Sequence, residues 1–374
     1  MGQYFSRDND LTIVCNPYYD MNFPNMQYIA QNRQHFTRND IFSERREINY
    51  IFARYCESGN LQAAQWFFSE FELTKEELCE DYYVARCACL SNNIKLIEWL
   101  HNICSFSREV LTCSDNMTFF LVCAHKDLTM AKWLDEQCCF SKDEVIKNKN
   151  ESFVEACDSH NLSFANWFLT RFSLTRDDIL IDNNKAFTKA CMNGKLNIAK
   201  LLHSYANFTK EEIFGENNDA FNYACKFGHL HTAVWLHETF GFTKDDVLKY
   251  KSFVPFLVLD NNSNFFEIKI KSRVIPKYYL NTLEWLHNTF NFTRDDIISD
   301  AVTICSNACY SNDISLVKLL YEICMFTREE LMVHDNINYI CAARKRHLHI
   351  AKWLSQQCNF TPDELAHTNK QIGW

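Results

Sequence analysis

The sequence predicts an all-α chain arranged as an α-solenoid of about nine helical repeats. The first observation behind this prediction is a tryptophan that returns every 33 or 34 residues, with leucine in its place twice and one longer gap. The second is a Leu or Ile five residues before each of these positions. A fixed period of this length is typical of stacked helical units, each of which buries its apolar face against its neighbours. The tryptophan positions are Trp66, Trp99, Trp133, Trp167, Leu201, Trp235, Trp285, Leu319 and Trp353.

Each repeat contains three predicted helical pieces. The first helix is short, as at 220–225, and a turn separates it from the second helix, which carries the tryptophan. Offsets of 0, 3, 5 and 6 from the start of the second helix fall on one broad face, and we expect that face to be buried. The residues expected to start the second helices are Leu61, Ile94, Leu128, Leu162, Leu196, Leu230, Leu280, Ile314 and Leu348.

The third piece is a short capped turn. It opens with an aromatic residue or Leu, then Thr or Ser, then usually a base and two acids, as at 242–247. Thr or Ser is expected to cap the helix, and an acid in the first turn reaches back to the cap. Across nine copies these turns hold 17 acids and 8 bases, a difference equal to the formal net charge of −9. We interpret the acids as helix caps; the alternative is a negative edge that repels membranes and nucleic acid or docks a basic protein.

The predicted organisation is an N-terminal segment and cap at 1–45, a repeat array at 46–365 and a C-terminal tail at 366–374. The spacing between Trp235 and Trp285 is 50 residues, and the excess falls at about 261–278. No apolar run is long enough to span a membrane, and no secretory signal is apparent. We therefore expect residence in the cytoplasm.

Neither a catalytic nor a metal site is predicted. Eleven of the 18 cysteines lie ten residues before or five residues after the tryptophan position, which favours buried free thiols in a reducing compartment. His101, His203, His237 and His287 recur two residues after that position and are interpreted as helix-surface residues near a C-terminus. No catalytic motif is found, and no cofactor is expected. The chain lacks a basic stripe, so nucleic-acid binding is not expected.

One stretch of the repeat resembles a known protein family. The pattern Ala-Cys-x-x-Gly-His-Leu-x-x-Ala-x-Trp-Leu at 224–236 resembles the helix–turn–helix core of an ankyrin repeat. The whole repeat, over about 50–365, is similar to the divergent ankyrin-like repeats of giant DNA viruses of amoebae. The Thr-Pro-Leu-His opening is missing, and capped turns stand in place of β-hairpins. A tetratricopeptide array shares the period, but its Pro and Gly–Tyr spacings are absent. The resemblance implies a protein-interaction scaffold that engages host proteins.

Two breaks in the pattern are candidate functional sites. The insertion at about 261–278 has a net charge of +3 with apolar residues interleaved, and we interpret it as a contact for a protein partner or an anionic surface. The alternative is a tolerated surface insertion. The second site is Gly2, because the N-terminal sequence matches the acceptor pattern for N-myristoylation. The predicted partner-binding residues are Phe265, Phe266, Lys269, Lys271, Arg273 and Lys277.

Two hypotheses of function follow. The first is a non-catalytic protein–protein interaction scaffold, a viral protein if the resemblance holds, acting as a monomer or an end-to-end dimer. The alternative is a lipid-anchored structural component at a membrane or inner virion layer. One myristoyl chain gives only weak peripheral membrane binding, so this alternative needs a second contact.

Overall fold

The computed structural model describes residues 45–79, 81–215, 218–249, 277–293, 312–325, 327–331 and 333–364, with the single positions 296, 309 and 366. The chain divides into two compact units, Met1–Leu174 and Thr175–Trp374, called here the N-terminal and C-terminal units. In both, the described part is helical apart from one pair of two-residue strands, which confirms the prediction of an all-α chain.

The order of first helix, second helix and capped turn recurs within each unit. The N-terminal unit contains α1 (Arg45–Glu57), α2 (Leu61–Glu70), α3 (Lys75–Leu78), α4 (Tyr82–Cys89), α5 (Ile94–Cys104), α6 (Arg108–Leu111), α7 (Cys113–Ala124), α8 (Leu128–Cys138), α9 (Lys142–Cys157) and α10 (Leu162–Arg171). The C-terminal unit contains α11 (Arg176–Ile179), α12 (Ile181–Met192), α13 (Leu196–Ala206), α14 (Lys210–Ile213), β1 (Phe214–Gly215), β2 (Asn218–Asp219), α15 (Ala220–Lys226), α16 (Leu230–Phe240), α17 (Lys244–Lys249), α18 (Lys277–Phe290), α19 (Ile314–Cys324), α20 (Arg328–Leu331), α21 (Val333–Arg344) and α22 (Leu348–Gln357).

The second helices begin at the recurrent Leu or Ile in eight of the nine cases. The exception is α18, which begins at Lys277, three residues before Leu280. Lys277 and Tyr278, at the end of the predicted insertion, are helical, and the rest of the insertion lies outside the described residues. A polar residue precedes several of these helices and accepts hydrogen bonds from their first turn, as Asn60 and Asp313 do.

The buried face of the second helix differs from the expected one. Offsets of 2, 3 and 6 from the helix start are buried throughout, as in Leu96, Ile97 and Leu100 of α5. The first residue is more exposed than expected, and Leu162 and Leu348 retain 43% and 56% of their surface. At about 100° per residue, offsets 0 and 5 lie on opposite edges of the stripe formed by offsets 2, 3 and 6.

Tryptophan at offset 5 therefore lies at an edge of the buried face, where it reaches the preceding repeat. Its ring packs edge-on against the side chain two residues after the preceding tryptophan position. The observed pairs, with their centroid distances, are Phe68–Trp99 at 5.8 Å, His101–Trp133 at 5.5 Å, His203–Trp235 at 6.0 Å, His237–Trp285 at 5.9 Å and Tyr321–Trp353 at 5.3 Å. The interpretation of these tryptophans as packing residues between repeats is confirmed for these pairs.

The capped turns contain the predicted reciprocal caps. In α9, Ser141 Oγ accepts from the backbone N–H of Glu144, and the Glu144 carboxylate accepts from the backbone N–H of Ser141 at 2.8 Å. The same box is complete at Thr74, Thr175 and Thr209. Each box provides acceptors for two backbone N–H groups that have no partner within the helix at its start. This capping stabilises the helix by about 1 kcal/mol.

The base in these turns makes a contact that the sequence interpretation did not include. In the N-terminal unit, Arg108 Nε donates to the backbone oxygen of Cys138 at 2.9 Å, where the following second helix ends. Arg108 Nη2 also donates to Glu144 Oε1 at 2.6 Å, in the following capped turn. We call this pair of bonds the inter-repeat clamp. Equivalent clamps join Arg176 to Ala206 and Glu212, Lys210 to Gly241 and Asp246, Lys244 to Asn291 and Asp296, and Arg328 to Cys358 and Glu364.

The clamp also explains where the net charge lies. In each described clamp, the acid is the second of the two acids in its capped turn. Across the capped turns, the sequence has eight acids at this second position and eight bases. The first acid occurs in all nine copies and takes no part in a clamp that the structure describes. Every described residue at this place is exposed, as Asp143 and Glu211 are. The excess negative charge is therefore a row of first acids, one in each capped turn.

Two further features depart from the expected repeat. Where a capped turn meets the next first helix, the backbone passes through the left-handed region, with φ of 59° at Lys149 and 61° at Asn150. After α14, strands β1 and β2 pair antiparallel, with Phe214 opposite Asp219. The capped turn that the sequence predicts at Thr209 is present, and a short strand pair follows it.

In the capped turn that begins at Ser107, Val110 occupies the place of the second acid, so the described residues form no clamp there. Lys75 is the base of the preceding turn. Burial raises the pKa of Cys104, at the end of α5, and the nearby charge of Lys75 partly offsets this rise. The substitution Val110→Glu should complete both the cap at Ser107 and the clamp with Lys75. We expect the free energy of unfolding to rise by about 1 kcal/mol, measured by urea denaturation. Val110→Gln is the matched control, because it completes the cap without a charge; equal stability of the two variants would contradict the clamp.

The clamp predicts a loss of stability in acid. Hydrogen bonds from Ser141 and Arg108 lower the pKa of the Glu144 carboxyl from 4.5 to about 2. A carboxyl with a lowered folded-state pKa contributes stability above its unfolded value, and this contribution is lost as the pH falls from about 4.5 towards 2. We expect Glu144→Gln to flatten this part of the stability profile, measured by urea unfolding at a series of pH values. Asp143→Asn removes an exposed neighbouring acid outside the clamp and should leave the slope unchanged.

Candidate protein-interaction surface

The structure describes only one of the site residues that the sequence predicts. Gly2 and the positions Phe265, Phe266, Lys269, Lys271 and Arg273 lie outside the described residues. Lys277 is the first residue of α18. The predicted contact at the insertion and the predicted lipidation site therefore stay predictions, and a candidate surface has to be sought on the described helices.

Exposed aromatic and apolar side chains gather on the first helices of the N-terminal unit. Tyr50 on α1, Tyr82 on α4 and Met117 on α7 retain 40%, 48% and 39% of their surface. These three make up nearly half of the large apolar residues that are exposed in the described part of the chain, and they lie on consecutive first helices. Scattered exposed apolar residues need no explanation, whereas a cluster on neighbouring helices is typical of an interaction site.

Ring stacking joins two of these helices at the surface. The rings of Tyr50 and Tyr83 lie nearly parallel, at an angle of 7°, with centroids 5.8 Å apart. The guanidinium of Arg86 lies 5.9 Å from the centre of the Tyr82 ring and 5.4 Å from that of Tyr83. We give the name aromatic ledge to Tyr50, Tyr82, Tyr83 and Arg86, together with Met117 at the corresponding register position of the next first helix.

Hydrogen bonds beneath the ledge fix the position of its tyrosines. Asp81 caps α4 by accepting from the backbone N–H groups of Tyr83 and Val84 at 2.9 and 3.2 Å. Asn49, buried on α1, donates from Nδ2 to Asp81 Oδ2 at 2.9 Å and to the backbone oxygen of Glu77 at 3.0 Å. Asn49, the residue before Tyr50, therefore attaches the start of α4 to α1. This attachment holds the stacked rings of Tyr50 and Tyr83 at a set distance.

The phenol group of Tyr83 carries no charge at neutral pH that would oppose binding of an apolar group. Burial and the neighbouring Cys87 raise the pKa of the Tyr83 hydroxyl to about 12. Burial likewise raises the pKa of the Cys87 thiol, so that this cysteine remains protonated and unreactive. The surface can therefore offer ring faces, one cation and hydroxyl groups, which suit recognition rather than acid–base chemistry.

The cysteines in the repeat register are packing residues. Cys56, Cys123, Cys157, Cys191 and Cys225 are all buried, and Cys56, Cys123, Cys191 and Cys225 are free thiols. Burial raises the pKa of Cys104 and of Cys138 to about 12, which keeps the thiolate population negligible. Across the described ranges, no group of three or more His, Cys, Asp or Glu side chains is placed to hold a metal ion.

The recurrent histidines lie in the last turns of their helices, as expected, but they are not free surface residues. His101, His203, His237 and His287 are half-buried, and Nδ1 of each is enclosed without a hydrogen-bond partner. Burial lowers the pKa of His101 and of His203, which keeps these rings neutral. His101, His203 and His237 pack against the next tryptophan, which makes them structural, and the interpretation of the half-buried histidines as surface residues is corrected accordingly.

A cleft of about 210 Å³ in the C-terminal unit is also explained by packing. It is lined by Gly194, Gly228, His229, Thr232 and Asn281, among others. A Cβ at Gly194, where φ is 67°, would lie 2.4 Å from Nδ1 of His229. The glycine thus permits close approach of an imidazole from the following repeat, and the cleft is the space beside that contact.

The sequence contained a signal for the aromatic ledge that our interpretation did not use. Sixteen residues before the tryptophan position, the first three repeats carry Tyr50, Tyr83 and Met117. The next repeats carry Glu151 and Lys185 at the same place. A surface position that changes from apolar to charged along an array indicates a local binding face, and reading the exposed register positions would have shown it.

Comparison with models of known protein families finds none that matches this chain, and comparison with curated proteins finds no similar sequence. No helix in the described part of the chain is both long enough and apolar enough to cross a lipid bilayer. The resemblance to ankyrin-like repeats therefore stays a prediction that rests on the quoted residues.

Proposed function

We propose that this protein is a non-catalytic scaffold that binds a protein partner through the aromatic ledge. The proposal includes an α-solenoid of ankyrin-like repeats, since the same helix order, edge-on tryptophan contacts and clamps recur at the sequence period. The observation that carries it is the cluster of exposed Tyr50, Tyr82 and Met117 on three consecutive first helices. Tyrosine and methionine are enriched at protein interfaces, where they bury large areas at modest entropic cost.

The chemistry of the described residues supports binding over catalysis. The titratable groups with shifted pKa values are mainly buried thiols, half-buried histidines and the acids of capped turns, and each shift has a structural cause. Strongly shifted groups that converge in a cleft would have favoured an enzyme. The identity of the partner as a host protein of a viral infection is the part of the proposal that depends wholly on the resemblance.

The ledge can be tested by removing its apolar surface without disturbing the core. The triple variant Tyr50→Ser, Tyr82→Ser and Met117→Ser should lose the partner in quantitative affinity purification from the source cells. The free energy of unfolding should fall by no more than about 1 kcal/mol, because the three side chains are exposed and only one pair of stacked rings is lost. The matched control replaces Leu162, Tyr205 and Leu348, which are equally exposed elsewhere, with serine. Identical sets of captured proteins for both triple variants would contradict the proposed binding surface.

The lipid-anchored alternative remains a prediction from the N-terminal sequence. If Gly2 is acylated, the intact mass of the protein purified from its source cells should exceed that of the Gly2→Ala variant by a myristoyl group, after allowance for the substitution. An unmodified N-terminal glycine, or a retained methionine, would remove this alternative. The result leaves the ledge proposal untouched, because the two sites are tested independently.

A further inference from the structure

Arg86 is the cationic residue of the aromatic ledge, and its hydrogen-bond donors indicate which chemical group a ligand would offer. Its guanidinium has five N–H donors and no acceptor of its own. In the part of the chain that the structure describes, these donors have no hydrogen-bond or ion-pair partner. The side chain is nevertheless positioned, because it lies against the rings of both Tyr82 and Tyr83. An ordered guanidinium without an acceptor, on an exposed apolar surface, points to an acceptor supplied by a ligand.

Among the described residues, the carboxylates near this cation already have partners. On the adjacent helix α1, the carboxylate of Glu57 is paired with Arg54. The Asp81 carboxylate is occupied as the cap of α4 and as the acceptor for Asn49. The ledge therefore carries one available positive charge in a chain whose formal net charge is −9. The charge of the ledge is opposite to that of the molecule as a whole, which is why it can select among ligands.

We propose that the aromatic ledge binds a peptide segment of a protein partner in which an Asp or Glu lies beside an apolar anchor. The carboxylate accepts two parallel hydrogen bonds from Arg86, and the anchor packs on Tyr50, Tyr82 and Met117. This inference rests on the proposed function and names the chemistry of its partner.

The geometry favours a carboxylate ligand for two physical reasons. A guanidinium presents its donors in a planar fork that matches the two oxygens of a carboxylate. Stacking on the tyrosine rings restricts the arginine before binding, so that less conformational entropy is lost when the bonds form. Single-stranded nucleic acid also stacks on aromatic residues and arginine, but it requires a basic groove along its backbone. The described neighbours of the ledge include paired charges and no such groove.

The test selects ligands without assuming their sequence. A library of random 12-residue peptides displayed on phage is selected on the full-length protein, and the bound peptides are synthesised. We expect enrichment of Asp or Glu next to an aromatic or aliphatic residue. Arg86→Gln should weaken the selected peptides about tenfold or more, because a charge-assisted hydrogen bond is lost. Arg86→Lys, which keeps the charge and loses the fork, should give an intermediate affinity.

A charge exchange makes the test specific for Arg86. A selected peptide with its acid changed to Lys should bind the wild type weakly and should recover affinity with Arg86→Glu. Arg344→Gln, which removes an exposed arginine from α21 in the C-terminal unit, is the control and should leave affinities unchanged. Thermal unfolding of each variant shows whether the fold is retained.

The outcomes separate this inference from the proposed function. In one outcome, selected peptides lose affinity for the serine triple variant and bind Arg86→Gln as tightly as the wild type. This result would overturn the role of Arg86 and would leave the proposed binding surface intact. Peptides insensitive to both changes would overturn both. Selection without acidic enrichment, or a single-stranded oligoribonucleotide that binds the wild type and not Arg86→Gln, would likewise show that the inference is wrong.

Discussion

The inter-repeat clamp is the contact that joins successive capped turns at five described junctions. One basic side chain bonds both to the carbonyl end of the following second helix and to the acid that caps the following turn, across 30 and 36 residues in the case of Arg108. The acid is thereby shared between its own helix start and the preceding repeat. Because the same three groups recur, the distance between successive capped turns is set by bond lengths rather than by apolar packing alone. An exposed ion pair contributes little to stability by itself. In the clamp it is accompanied by a hydrogen bond to a backbone carbonyl and by a helix cap, and these contribute further.

The tryptophans complement the clamp at another edge of the same helix pairs. Their position, beside the buried stripe rather than within it, directs the indole towards the preceding repeat. One exception shows how strict this geometry is. Asp135 takes the place of the usual aromatic partner, and Arg171 bonds both of its oxygens, at 2.6 and 2.9 Å. The buried carboxylate is tolerated because the arginine fork satisfies it.

Contacts between α1 and α4 fix the arrangement of the aromatic ledge. Tyr50 and Tyr83 belong to different repeats, and their stacking requires α1 and α4 to lie at a fixed separation. Asn49 and the capping acid Asp81 provide part of that separation. Contacts that hold the fold together thus also organise the surface that we propose for binding. Ordered aromatic side chains lose little entropy on binding, which is why such surfaces suit recognition.

The sequence by itself determined the period, the starts of most second helices, the caps and the buried cysteines, because each depends on local patterns that recur within one repeat. It did not determine which neighbour each base contacts, why offsets 2, 3 and 6 are buried, or that three of the recurrent histidines pack on indoles. Those depend on how adjacent helices are placed, and a single-chain pattern contains no distance between repeats. The aromatic ledge belongs to the second group: Tyr82 and Arg86 are ordinary helix residues in the sequence, and only the tertiary structure brings their side chains together with Tyr50 on a shared surface.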